Sequence, residues 1–247
     1  MKLHSLICVG MFAAAGAALG EDVISGTTCA AMAVPATDTY TLIAVPFKDV
    51  GGTEAKVKVA DVVKTVGLKE GSQLFYYTGE NYYAWKLDRD AGAWTGVIVS
   101  STSEQEGKSV TLQTPPADFQ VPCGATLWLQ RAEGSDKGVV LYGEEASVST
   151  STLKAESVQL ISNPKAADYT FTVAGADGDM IMIPKDDGTQ TTYTYKTEKG
   201  WGQYEQSGTV PGTEIPLMKF TVKTVTIPGG RGAWYVSKGK TVPSIVW

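Results

Sequence analysis

The chain has 247 residues, 43% of them hydrophobic and 19% charged, with a formal net charge of −5 and one histidine. An acidic balance excludes a nucleic-acid surface, because phosphates recruit clustered Lys and Arg. The lone His4 falls in a leader segment, so Ser-His-Asp and Cys-His catalysis, histidine general bases and the usual catalytic zinc sites are excluded too.

That leader is the first element, MKLHSLICVGMFAAAGAALG, with basic Lys2, an apolar run over 6–15, and small Ala18 and Gly20. It reads as a secretory signal peptide cleaved after Gly20. Bulky Ile7 before Cys8 argues against a lipid anchor. No later stretch approaches the ~20 apolar residues of a transmembrane helix. The expectation is an exported protein with no transmembrane anchor, placed extracellularly, on the outer cell surface or in the periplasm. The ~227 residues that remain can bury a sizeable core. Cys29 and Cys123 remain as well, and in an oxidising compartment they read as one disulfide. The alternative is two separate buried thiols.

Beyond the apolar run LIAVP at 42–46, the segment 57–67, VKVADVVKTVG, has valines at helical spacing and predicts one short helix. Its β-branched residues weigh against a long one. Short runs rich in aromatic and β-branched residues follow: SQLFYYT, NYYAWKL, AWTGVIV, ATLWLQR and GVVLYG. Gly, Asp, Asn and Ser punctuate them, so they read as strands. The polar, Ser/Thr-rich segment 144–157 reads as a linker. After it come DMIMIP, TTYTYKT, GWGQYEQ, KFTVKTVTI, GAWYVS and PSIVW, again with strand character.

Gly71, Trp94, Pro122, Gly124 and Trp128 are spaced by 23, 28, 2 and 4 residues. Gly178, Trp201, Pro228, Gly230 and Trp234 are spaced by 23, 27, 2 and 4. The match extends back to Ala60-Asp61 against Ala167-Asp168, and LIAVP resembles LISNP at 160–164. Such repetition points to a tandem duplication with a period of about 106 residues. Pro fixes φ, Gly permits positive φ, and Trp buries a large area, so the shared VPCGATLW and IPGGRGAW read as corners leading into strands. The expected fold is all-β or β-rich: two tandem duplicated β-sandwich or β-barrel-like domains with at most one short helix. Residues 1–20 are the signal peptide, 21–143 the first domain, 144–157 the linker and 158–247 the second domain.

These residues, namely the apolar run ending in Pro, Gly71-Ser72 and Gly178-Asp179, Trp94 and Gly200-Trp201, and GATLW with GRGAW, resemble the repeats of a family of uncharacterised secreted proteins from gut-associated bacteria. The resemblance covers nearly all of the exported chain. It implies a β-rich fold and export, and it carries over no activity.

Among candidate chemical groups, carboxylates survive elimination. Asp61 and Asp168 are equivalent by the repeat and offer an aspartic dyad, yet neither is followed by Thr-Gly or Ser-Gly. Asp61 also opens the expected helix turn, where a carboxylate suits the dipole. DRDAG at 88–92 and the Asp-Gly pairs around 177–188 group acidic oxygens as calcium requires, but they lack the remaining ligands and read as turns. No metal and no cofactor is expected. Tyr76, Tyr77, Tyr82, Tyr83 and Trp85 lie across a hairpin of the first copy, whereas the second copy has Ile183, Pro184, Thr189, Gln190 and Thr192 there. Alternation prevents all five rings from pointing inward. They form either a contact surface or the interface between the copies. The favoured function is a secreted noncatalytic binding or structural module of the bacterial envelope, contacting a glycan, mucin or another extracellular protein. The alternative is a carboxylate-dependent hydrolase, an aspartic-type protease or glycosidase acting on mucin-like glycoprotein.

Overall fold

The computed structural model describes residues 22–24, 27–35, 40–48, 55–88, 90–96, 102–105, 108–145, 150–185, 187–240 and 244–247. The leader at 1–20 lies outside the described residues. The chain is β-rich, as its aromatic and β-branched runs dictate. Along the first half come β1 (Asp22–Ile24), β2 (Thr27–Pro35), β3 (Tyr40–Ala44), β4 (Phe47–Lys48), β5 (Lys56–Val57) and a single helical turn, α1 (Val59–Val62). Then follow β6 (Gln73–Tyr77), β7 (Tyr82–Asp88), β8 (Ala93–Gly96), β9 (Thr102–Gln105) and β10 (Lys108–Gln113). The half ends with β11 (Val121–Pro122), β12 (Thr126–Gln130) and β13 (Gly138–Glu145). The second half contains β14 (Thr150–Thr152), β15 (Val158–Ser162), β16 (Tyr169–Thr170), β17 (Met180–Pro184) and β18 (Gln190–Lys196). It continues with β19 (Gly200–Thr209), β20 (Pro216–Val222), β21 (Thr226–Ile227), β22 (Gly232–Val236) and β23 (Ser244–Val246).

The main sheet of the first half runs β3-β12-β6-β7-β10-β9, with β10 parallel to β7 and β8 also on β7; that of the second runs β15-β22-β17-β18-β19-β20. Registers agree between them. Leu127 faces Ile43, Leu129 faces Leu74, Leu74 faces Trp85 and Leu87 faces Trp94. Likewise Ala233 faces Ile161, Tyr235 faces Ile181, Ile181 faces Tyr193 and Tyr195 faces Trp201. These residues make each sheet's inner face. A strand pair joins the two ends of each half, β2 with β13 in the first and β14 with β23 in the second. Val139 and Leu141 join the first core, Leu153 and Ile245 the second. None of these sheets closes on itself.

The repeated residues hold corresponding places. Gly71 and Gly178 have φ of +89° and +87°, and Gly124 and Gly230 have +83° and +68°, values a side chain would resist. Ala125 N–H donates to Pro122 O and Arg231 N–H to Pro228 O, both at 3.1 Å, closing the two corners. The buried Trp94 and Trp201 donate their indole N–H groups to Val63 O at 2.8 Å and Val173 O at 2.7 Å.

Two expectations need correcting. The helix over 57–67 is one turn, because Val63 bridges to Leu141 and Lys64 N–H donates to Val140 O; sheet pairing takes the valines. Within 144–157, Glu144 and Glu145 finish β13 and Thr150–Thr152 pairs with β23. The run KFTVKTVTI breaks at Lys223–Val225, where the chain leaves β20 for β21 in another sheet.

Trp128 and Trp234 also do not enter their own cores. Leu127 and Leu129 take the inner face, so alternation turns Trp128 outward, and the two indoles meet edge to face at 5.5 Å. Around them the halves contact each other through corresponding groups. Ala44 N–H donates to Gly230 O at 2.8 Å, and Ser162 Oγ donates to Gly124 O at 2.6 Å. Gly232 faces Thr126 across this seam: a Cβ there would come within 2.6 Å of Thr126 Cγ2 and 2.9 Å of Leu42 Cβ. Gly232→Thr is expected to lower stability by about 1–3 kcal/mol through overpacking. Adding Thr126→Gly should restore part of that loss in urea denaturation. Strict additivity of the two changes would show that the seam does not set the cost.

Candidate functional site

The β6–β7 hairpin sorts its rings by alternation. Tyr76 and Tyr83 are a cross-strand pair, as are Leu74 and Trp85, and all four point inward. Their partner is Phe119, from the loop before β11: ring centroids lie 5.8 Å from Tyr76, 4.6 Å from Tyr83 and 6.2 Å from Trp85. Trp85 is 8% exposed, so it belongs to the core and not to the surface for which sequence nominated it. Burial pushes the Tyr76 phenol above its ordinary value.

Tyr77 and Tyr82 form the next cross-strand pair and face outward, with rings 4.9 Å apart. The turn beyond them is pinned. Thr78 Oγ1 donates to Asn81 O at 3.0 Å and accepts from Asn81 N–H at 3.1 Å, while Gly79 takes φ of +106°. Tyr77 donates its hydroxyl to Gly79 O at 2.6 Å. Tyr82 lies 5.6 Å from Trp128 with ring planes 25° apart, and burial followed by the neighbouring Tyr77 raises its pKa. Tyr40, 51% exposed, flanks Trp128 at 6.3 Å. An aromatic row, Tyr77-Tyr82-Trp128-Trp234, therefore crosses from one half to the other. Register sets a polar row beside it: Tyr40 opposite Gln130, Gln130 opposite Gln73, Gln73 opposite Lys86 and Lys86 opposite Thr95.

Sequence reasoning found Tyr77 and Tyr82 but missed Trp128, Trp234 and Tyr40. The signal was available in the alternation of Leu127-Trp128-Leu129. What it could not supply was which strands lie beside β12.

Asp61 and Asp168 are both exposed, and no hydrogen bond among the described residues joins them. Asp168 Oδ1 accepts from Gly229 N–H at 3.1 Å, and the Asp61 carbonyl accepts from Lys64 Nζ at 2.6 Å. The acidic clusters serve turns: Asp88 Oδ1 accepts from the N–H groups of Asp90 and Ala91, and Asp187 Oδ1 from both the N–H and the hydroxyl of Thr189. Among the described residues no three His, Cys, Asp or Glu side chains come together as metal ligands.

Asp179 is different, being fully buried in the second half. It accepts from Tyr235 OH at 2.7 Å, Ala176 N–H at 2.9 Å and Lys238 N–H at 2.6 Å. Burial, then the bond to Asp179, raises the Tyr235 pKa. Ser72 holds the corresponding place in the first half, accepting from Ala132 N–H at 3.0 Å. Asp179 is thus a structural bracket.

The expected disulfide falls partly outside the described side chains, since only the backbone of Cys29 is placed, opposite Glu144. The Cys123 thiol donates to Phe47 O at 3.2 Å. Among the described residues no helix is long and apolar enough to cross a membrane.

No protein-family model, curated protein or solved structure matches this chain.

Proposed function

We propose that the chain is a tandem duplication serving as an exported, noncatalytic binding module, which contacts a glycan, mucin glycoprotein or another extracellular partner through its outer aromatic face. The duplication is supported by the shared four-strand order β3-β12-β6-β7 and β15-β22-β17-β18, matching register along those strands and glycines of matching φ in the two halves. Export rests on the leader at 1–20. One observation carries the binding reading: a partly exposed aromatic row bordered by Gln73, Lys86 and Gln130 on one sheet face. Rings supply flat apolar area, while amides and the ammonium supply oriented hydrogen bonds, the combination that polyhydroxylated or amphipathic ligands require.

The test is binding of purified protein to immobilised mucin and a glycan array. Tyr77→Ala with Tyr82→Ala is expected to weaken binding by about 10-fold, from two lost ring contacts, with an unchanged circular dichroism spectrum. Full binding by that folded variant would exclude the face. Trp85→Ala is the contrast, and it should lose structure as well as binding.

A further inference from the structure

The second half carries a separate depression of about 440 Å³ beside the β18–β19 turn, within the size range of small-molecule sites. Tyr204 and Phe220 form one wall. They are a cross-strand pair with ring centroids 5.4 Å apart at 68°, and Tyr204 is 48% exposed. Phe220 is seated on bare backbone, because a Cβ at Gly202 would come within 2.6 Å of its ring. The rim is ionic. Lys196 Nζ lies 3.2 Å from Asp177 Oδ2. Asp177 Oδ1 accepts from Thr197 N–H at 3.3 Å. Lys199 stands 6.0 Å over the Phe220 ring, with Glu198 beside it in the chain.

These parts define a ligand. Tyr204 offers a ring face for C–H groups, and the Lys196–Asp177 ion pair offers a fixed donor and acceptor for neighbouring hydroxyls, with Glu198 and Lys199 on the same rim. The four charges cancel, so the site has no net field to recruit an ion. The Asp177 pKa is lowered and the Lys196 pKa raised, each chiefly by their mutual hydrogen bond, so both stay charged near neutral pH. The corresponding turn of the first half reads Asp88-Arg89-Asp90-Ala91-Gly92, without the lysines. We infer that this depression is a second binding site, specific to the second half, which holds one uncharged pyranose residue stacked on Tyr204. It is distinct from the outer aromatic face and does not depend on it.

Saturation-transfer NMR on the full chain tests this with the methyl glycosides of glucose, galactose, mannose and N-acetylglucosamine. Glucosamine and N-acetylneuraminic acid serve as cationic and anionic arms. At least one neutral glycoside should bind with a Kd of about 1–10 mM, as one stacked sugar permits. Tyr204→Ala should weaken that binding by at least about 10-fold, Tyr204→Phe should keep most of it, and Lys196→Gln should weaken it several-fold. Running the titrations in the Tyr77→Ala/Tyr82→Ala background separates this depression from the first-half face. The assignment is overturned if no neutral glycoside binds, if binding survives Tyr204→Ala, or if either charged sugar binds more tightly than every neutral one.

Discussion

Asp179→Ala is expected to destabilise the second half by about 3–5 kcal/mol, the cost of leaving three buried donors without their acceptor. Three donors lose their acceptor at once: the Tyr235 hydroxyl and the N–H groups of Ala176 and Lys238. Tyr235 is itself fully buried, so its hydroxyl cannot turn to water without moving the ring. Asp179→Asn should also be costly, since an amide nitrogen facing Ala176 N–H puts donor against donor. The first half suggests the mildest replacement. Ser72 brackets its corner with one hydroxyl, so Asp179→Ser should retain the bond from Lys238 and cost less than alanine. Urea denaturation followed by tryptophan fluorescence reports all three variants. If Asp179→Ala shifts the transition by less than Asp179→Ser, the bracket has been misread.

Gly229→Ala is the second large effect, at about 3 kcal/mol of overpacking. This glycine is required by close approach: a Cβ would fall onto the Ala166 carbonyl oxygen and within 2.5 Å of its carbon, both backbone atoms that cannot swing aside. The surrounding corner is clamped. Gly229 N–H donates to Asp168 Oδ1 at 3.1 Å, and Gly230 N–H donates to Lys165 O at 3.0 Å and Asn163 O at 3.1 Å. The first half has Cys123 here, with its thiol accommodated against Phe47 O. Gly229→Cys should therefore be at least as damaging as Gly229→Ala, although it copies the other half, whereas Cys123→Gly should cost only about 1 kcal/mol. Thermal unfolding of the three variants decides. Equal melting temperatures for Gly229→Ala and the parent would remove the close approach as the reason for the glycine.

Much of the architecture was legible in the residues. Strand character follows from runs such as MIMIP and TTYTYK, where alternation and β-branching are local properties. The glycines shared by both halves marked corners because positive φ is a local demand, and Gly71, Gly124, Gly178 and Gly230 meet it. The valines of 57–67 hold one short helix, as their spacing suggests, but it stops at Val62 because Val63 pairs with Leu141, far along the chain. In the same way, polar Thr150–Thr152 gains its strand partner only from the C-terminal strand.

The hairpin shows where sequence stops. Alternation divided its rings into two sets, Tyr76, Tyr83 and Trp85 against Tyr77 and Tyr82, but a period of two does not say which set meets a core. Phe119 decided that by covering the first set, and β12 and β22 decided the second by laying Trp128 and Trp234 beside it. Sequence by itself determined the β class and the corners. Tertiary structure alone decided which aromatic face is left to solvent and that the two halves share it, because both depend on pairings between residues tens of positions apart, which no local preference encodes.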